Sequence, residues 1–475
     1  MDRLRLLQRI SYSVLLALLA AACTDTETVF VERPFFDDPP GTGAGFLGYG
    51  TEDARLASFT VCGNCHIGSQ SEWEGTAHSH AWETLASSGG SQALCEGCHS
   101  VNERGNAMEG DAGWTATADS RYEDVQCESC HGPGAGHVSN PEASQPFASI
   151  AVGTSLTNGC GECHSGSHHP FVDEWEQSRH GLAGNASIRD REECASCHEG
   201  RGALVAFGLD VDYIEKDAAQ SQPIVCAVCH DPHNATNEHQ LRFPIDVPDV
   251  DQNLCMKCHQ RRAIPEEGST RGPHSPQGPL LLGQDVGWIP PNFDTNIVRG
   301  THGSERNREL CATCHVNAFE VTDPISGAFV FNATGHLFQP IPCLDAQGIP
   351  TAGDCDFADR TFASCSDCHD EVTARTLYTV AKQRIAGRVA DLAAQLAAVP
   401  ASAFSTTDGV LTVAEGARFN QQLAEIESSA IHNPFLTEAL LLGSMQAVQA
   451  EYGIAPNITP AAIEARMNEI TTSGR

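Results

Sequence analysis

Nine times between Cys62 and His369 the chain carries Cys-x-x-Cys-His, two thiols and an imidazole within five residues. The cysteine pairs are Cys62 and Cys65, Cys95 and Cys98, Cys127 and Cys130, Cys160 and Cys163, Cys194 and Cys197, Cys226 and Cys229, Cys255 and Cys258, Cys311 and Cys314, and Cys365 and Cys368. The histidines that close them are His66, His99, His131, His164, His198, His230, His259, His315 and His369. Two thiols three positions apart can add across the two vinyl groups of one haem, and the next histidine then sits under the ring as the first axial ligand of the iron. A single motif of this kind also serves as a zinc knuckle or a redox dithiol. Nine of them, each followed at once by histidine, point instead to nine covalently bound haem c groups. The motifs are numbered one to nine in chain order.

Each iron needs a sixth ligand or an open position, and that choice separates a carrier from an enzyme. The chain has 5 Met, one of them the first residue and another inside motif seven, so methionine can cap few irons. Twelve histidines lie outside the motifs: His78, His80, His137, His168, His169, His180, His233, His239, His274, His302, His336 and His432. The candidate distal ligands are His78, His137, His168 (or its neighbour His169), His180, His233, His274, His302, His336 and His432. A lone surface histidine is ordinarily just solvated, but nine irons and twelve available rings reverse that expectation. Nine bis-histidine haems would be low-spin and low in potential, with no free coordination position. Which histidine caps which haem is not legible here.

The elements that must hold this chemistry are expected to be short. Aromatic residues make up only 6% of the chain, which fits a core filled by porphyrins rather than by side chains. The expected fold is mainly α with extensive loops and little β: a haem-packed body over residues 56–370, followed by a helical region over 371–475 that packs on the last haems. The first cysteines of motifs one to six stand 33, 32, 33, 34 and 32 residues apart, and a shift of three motifs gives 98, 99 and 99. Other residues share that offset: Trp73-x4-His78 follows motif one and Trp175-x4-His180 follows motif four. A three-haem unit is therefore repeated, at about 56–153 and 154–252. The last three motifs are more widely spaced and follow the unit poorly.

Motif one, Trp73-x4-His78 and motif two together resemble the cytochrome c-552/4-like family of multihaem proteins. The run Cys226 to His233, followed by Leu254-Cys255 to His259, is similar to the doubled CXXCH family. His131-Gly-Pro-Gly-Ala-Gly-His137 resembles decahaem electron-conduit cytochromes. These resemblances span roughly residues 55–370 and imply respiratory electron transfer through bis-histidine haems.

Beyond His369 the composition turns to Ala, Leu, Gln and Glu. Apolar residues at helical spacing predict a helix over 371–398 closed by Pro400, a second over 413–430, and a third over 434–452 with Pro434 at its first position and Gly453 as its stop. One further short helix is expected within 455–475. The stretch from Ala417 through His432-Asn-Pro434 to Leu442 is similar to the C-terminal helices of hydroxylamine oxidoreductases and octahaem cytochromes. In that family the histidine of His-Asn-Pro reaches a haem, which the resemblance implies for His432.

Residues 1–22 read as a signal peptide, with Arg3, Arg5 and Arg9 before an apolar run too short to span a membrane. It ends in Leu-Ala-Ala-Ala-Cys23, which resembles a bacterial lipobox and implies cleavage before Cys23 and a lipid on its thiol. Residues 23–55 then read as a flexible Pro/Gly-rich tether. The motifs and Cys23 leave only Cys343 and Cys355 of the 21 cysteines. In an exported protein they are expected to form a disulfide.

A formal charge of −33, before any haem propionate is counted, disfavours nucleic acid and favours cationic partners. The expected function is an exported, lipid-anchored nonahaem cytochrome of the bacterial cell envelope, facing the periplasm or cell surface. It would pass electrons between redox partner proteins, either other cytochromes or a quinol-oxidising donor. The alternative is a multihaem oxidoreductase acting on a small nitrogen or sulfur compound at one open haem. No Cys-x-x-Cys-Lys motif occurs and the chain has 6 Tyr, so no catalytic residue is assigned. A haem filament, with a histidine of one chain capping a haem of the next, is a third reading.

Overall fold

The structure is a computed structural model that describes residues 45–50, 60–102, 113–153, 159–182, 188, 191–209, 211–291, 293, 300–405 and 409–473. The chain divides into two compact units, Met1–Phe35 and Phe36–Arg475, and all the described residues belong to the second. The signal peptide, Cys23 and most of the tether lie outside the described residues; its residues 45–50 are packed on the body instead, with Phe46 and Tyr49 buried and the Leu47 and Gly48 N–H groups donated to Glu128.

From motif one to motif nine no described helix is longer than seven residues. Isolated helices this short are marginal in water, so the chain here is held by contacts between distant segments. Three small apolar clusters lie along it, one joining Phe46, Val101 and Tyr122, one built on Val172, Trp175, Leu204 and Val228, and one on Met256, Leu281, Leu282 and Leu310. The repeat is visible in the hydrogen bonds. The Trp73 indole donates to the Val125 carbonyl while the Val125 N–H donates to the His78 carbonyl. One unit later the Trp175 indole donates to the Ile224 carbonyl and the Ile224 N–H to the His180 carbonyl. Each clamp ties the Trp-x4-His segment to the residue two positions before the third motif of its unit.

The 54 residues between the first cysteines of motifs eight and nine hold the only strands among the described residues. Strands β1 (Phe319–Thr322) and β2 (Phe329–Ala333) pair antiparallel, as do β3 (Cys343–Leu344) and β4 (Pro350–Thr351). At the first tip the Asp323 carboxylate accepts the N–H groups of Ile325 and Ser326, and Gly327 supplies a positive φ of 69°. Cys343 and Cys355 are joined at 2.08 Å and close the second hairpin. The sequence reading allowed for little β and did not place these hairpins.

After His369 the architecture changes. Helix α1 (Glu371–Leu396) opens on Asp370, whose carboxylate accepts the Thr373 N–H. Helix α2 (Val413–Glu425) opens on a reciprocal Thr412–Glu415 capping box. Helix α3 (Pro434–Tyr452) opens on Asn433 with Pro434 in its first turn, and stops at left-handed Gly453. Helix α4 (Pro460–Ser473) follows. The expected 413–430 helix is shorter than read, because the chain breaks at Ile426 before a separate turn over Ser429–His432. These helices bury the largest apolar core, including Ile385, Leu392, Leu423, Leu440, Leu441, Met445, Ile463 and Ile470.

The bundle also grips the haem body. Asn420 accepts the Trp288 N–H and donates to the Trp288 carbonyl, and Gly416 lies so close beneath that indole that a Cβ would collide with it. Asn433 donates to the Leu280 carbonyl. The segment between motifs seven and eight is thus laid across α2 and α3.

Candidate functional site

Eight of the nine motif histidines face a second histidine across a narrow range of ring-centre distances. The pairs are His66–His137 at 6.1 Å, His99–His169 at 6.5 Å, His131–His233 at 5.9 Å and His164–His78 at 6.0 Å. They continue with His198–His274 at 5.7 Å, His230–His336 at 6.4 Å, His259–His180 at 6.3 Å and His315–His432 at 6.1 Å. These rings are too far apart to stack, unlike His168, which lies on Phe329 at 4.4 Å. Two metal–nitrogen bonds of roughly 2 Å, with each nitrogen about 1 Å from its ring centre, place the centres about 6 Å apart. The donor set therefore fits a hexacoordinate haem iron at each pair.

Ring orientation agrees. A backbone carbonyl can only accept, so an Nδ1 within reach of one must carry the proton and leave Nε2 free to bind metal. His99 makes this bond to Ala81, His131 to Phe147, His137 to Ser144, His230 to His239 and His315 to Phe338. Burial keeps four of the rings neutral: it pushes His164 and His432 down to about 3, and His180 and His336 down to about 4, with neighbouring imidazoles adding to the effect. The lone pair needed for coordination is thus available across the physiological range. His432 also has a buried Nδ1 with no hydrogen-bond partner.

Of the distal candidates, His78, His137, His180, His233, His274, His336 and His432 each face a motif histidine. His168 does not; its neighbour His169 faces His99 instead. Among the described residues His302 faces none at this spacing, and no histidine stands so opposite His369. His80 is exposed beside Glu83, and His239 beside Glu238. Choosing His169 over His168 required knowing that the chain turns at Gly166 and that the β2 strand covers one of the two rings; sequence spacing carries neither fact.

The motif thiols fall into a chain of contacts. Cys62 of motif one hydrogen-bonds to Cys127 of motif three, Cys160 of motif four to Cys226 of motif six, and Cys255 of motif seven to Cys311 of motif eight. Cys98 of motif two meets Cys163 of motif four, and Cys197 of motif five meets Cys258 of motif seven. Cys130 and Cys160, Cys229 and Cys255, and Cys314 and Cys365 lie near enough to feel each other's charge. The attachment sites therefore run one, three, four, six, seven, eight, nine, with two beside four and five beside seven. Spatial order is not chain order.

Paired thiols that can form thioethers, a proximal histidine and a facing imidazole define a c-type cytochrome. The family model "Cytochrome c554 and c-prime" matches residues 61–132, and "Doubled CXXCH motif" matches residues 216–264. The chain is 25% identical over 194 residues to the multiheme cytochrome MtrA of Shewanella baltica, covering 36% of this chain and 54% of that one. It is 26% identical over 298 residues to the C-type polyheme cytochrome OmcB of Geobacter sulfurreducens, covering 54% of this chain and 35% of that one. The matched part thus spans about half of the first relative and about a third of the second. The fold is shared with the outer cell wall cytochrome OcwA at a TM-score of 0.53 and 16% identity, over 82% of this chain and 99% of that one. Over these parts the chain is similar to multihaem cytochromes c, and its CXXCH motifs support covalent binding of haem c.

Proposed function

We propose that this chain is a nonahaem cytochrome that carries electrons along a row of bis-histidine haems in the bacterial cell envelope. The observation that carries the reading is the set of eight facing histidine pairs, each within 5.7–6.5 Å between ring centres. A bound haem supplies a reversible one-electron ferric/ferrous couple. What the chain's residues contribute is spacing and closure. Neighbouring attachment cysteines would hold bound haems near one another, the arrangement that electron hopping needs. The facing histidines would hold eight of the irons from both sides, which would keep reorganisation on electron transfer small. The route follows sites one, three, four, six, seven, eight and nine, with two and five as side stations.

Distal ligation by the seven facing candidates and His169 is part of this proposal, as are the count of nine haems and the lipid anchor at Cys23. Among the described residues no helix is long and apolar enough to cross a membrane, and a lipid on Cys23 would supply the attachment. The lipobox-like run before that cysteine and the fold shared with an outer cell wall cytochrome support an exported location. Redox partner proteins at either end, other cytochromes or a quinol-oxidising donor, complete the reading.

Potentiometric titration of the holoprotein, with the haem content measured on the same sample, tests this. Nine haems per chain titrating over a broad low-potential range, with direct exchange at an electrode, are expected. A count well below nine, or a spectrum dominated by high-spin iron, would overturn the reading. One observation favours the alternative of a multihaem oxidoreductase: among the described residues no histidine ring faces His369 at the spacing of the other eight.

A further inference from the structure

Among the described residues His369 has no facing ring, and His302 is a half-buried ring with no assigned iron. The repeat connects the two. Motifs one and four, the first of their units, share a backbone signature: the carbonyl of the first cysteine accepts from both the second cysteine and the histidine, with no α-helix across the motif. Motifs seven and nine carry the same signature, at Cys255 and Cys365. Motifs three, six and eight, by contrast, are α-helical, and their histidines all donate Nδ1 to a backbone carbonyl downstream. By local geometry motif eight is therefore the third motif of a unit whose middle motif is missing, and motif nine is the first motif of a fourth unit.

The thiol contacts give the same register. First touches third in one–three, four–six and seven–eight, and third approaches the next first in three–four, six–seven and eight–nine. So do the facing rings. His78, in the segment after the first motif of unit one, faces His164, the first of unit two; His180, likewise placed in unit two, faces His259, the first of unit three. The rule is that this histidine caps the first haem of the following unit.

His302 holds that place in unit three. Each of these histidines follows a short helix after a first motif: Ile67–Trp73, Phe171–Gln177 and Gln277–Leu282. His180 and His302 are both followed by glycine, and Gly181 and Gly303 press on a carbonyl of the preceding helix, at Trp175 and Leu281, where a Cβ would not fit. The carbonyl of His302 is held by the Asn307 side chain, as an N–H holds those of His78 and His180. Its Nδ1 donates to the Ile431 carbonyl at 2.9 Å, which leaves Nε2 free.

We propose that His302 is the sixth ligand of the ninth haem, opposite His369, so that the last motif opens a truncated fourth unit and every iron is closed. The two rings do not face each other at the spacing of the eight pairs, so the assignment rests on the register of the repeat. The inference rests on the bis-histidine carrier reading and decides against its oxidoreductase alternative.

Low-temperature electron paramagnetic resonance of the oxidised full-length holoprotein tests it. The wild type should show no high-spin ferric signal beyond traces. His302→Ala should turn one haem in nine high-spin, and added imidazole should restore the low-spin state, which a merely structural loss would not allow. His302→Met, which keeps a ligand, should give a low-spin protein with one haem raised in potential. His168→Ala and His239→Ala should change nothing. A wild type with one high-spin haem in nine, unaltered by His302→Ala, would overturn the proposal while leaving the carrier reading for the other eight. A wild type with most haems high-spin would overturn both.

Discussion

The haem body and the C-terminal bundle are stabilised in opposite ways within one unit of the chain. Residues 60–259 have helices of seven residues or fewer and small separate apolar clusters, while α1 to α4 share one continuous leucine-rich core. In the body, side chains are spent on ligands and clamps: histidines face one another, thiols touch, and carbonyls fix ring orientation. In the bundle, full burial of each leucine contributes roughly 1.5–3 kcal/mol, and capped helices of 13 to 26 residues need no prosthetic group to make sense. The lesson is that a chain can be half scaffold and half mould. The bundle packs on its own side chains, and the turn between α2 and α3 presents His432 to motif eight and the Ile431 carbonyl to His302, whereas the body's described side chains form only small separate clusters.

The largest expected effect breaks that comparison directly. Protein made without haem attachment should lose amide protection across residues 60–259 and keep it in α1, α3 and α4. Hydrogen exchange read by mass spectrometry checks this, and equal protection in both regions would refute the division. The next tests the repeat within the body. His78→Ala and His180→Ala should each turn one haem in nine high-spin, with matching spectra, since both rings serve the first haem of a following unit. Unequal numbers of altered haems in the two variants would mean that the units are not equivalent.

How much of this was legible in the sequence follows the same division. The motifs, the three-motif offset and the C-terminal helices are local signals, and Asp370, Thr412, Asn433 and Gly453 mark helix ends within a residue or so. Ligand pairing is not local. His315 and His432 lie on either side of the hairpin insert and α1, and nothing in their spacing relates them. His169 rather than His168 faces His99 because one backbone turn decides between adjacent rings. The hairpins escaped notice because each is built on few residues, with Asp323 and Asp345 organising tips that look like ordinary loop sequence. The spatial order of the sites was hidden for a simpler reason: it skips motifs two and five.

Within the bundle, the sharpest single test is Glu438. Its carboxylate is buried to 1% exposure and meets Arg466 at 2.7 Å, Arg388 at 3.3 Å and Arg384 at 3.7 Å. The pair raises the Arg466 guanidinium, first through its hydrogen bond to Glu438. Glu438→Gln leaves three guanidinium groups around a neutral amide and should cost about 3–5 kcal/mol. The loss should appear as a lower denaturation midpoint of α1, α3 and α4 while the haem spectrum stays unchanged. A spectral change of equal size would mean that the two regions unfold as one. A smaller effect is expected from the double variant Cys343→Ser and Cys355→Ser. That bond closes a loop of 12 residues, which in the chain-entropy view contributes about 3 kcal/mol to whatever unfolds with it. Because the hairpins form an insert, the change should show as local proteolysis between motifs eight and nine, with the bundle midpoint intact.

The smallest effect asks how the mould keeps its shape where the core is thin. Trp73 and Trp175 each donate one indole N–H to a carbonyl, at 3.0 Å and 2.8 Å, and each is buried against its unit. Replacement by Phe keeps an aromatic ring in place but removes the donor, leaving the Val125 or Ile224 carbonyl short of a partner. The expected cost is about 1 kcal/mol per site, equal in the two units within the error of a denaturation curve. Both haem spectra should remain low-spin, because the N–H of Val125 or Ile224 still holds the carbonyl of His78 or His180. A high-spin signal in either variant would show that the indole, and not the backbone bond, sets the ring's position. The Trp-x4-His spacing would then be a ligand-positioning device in its own right, and its absence around His302 would make Asn307 the residue to vary next.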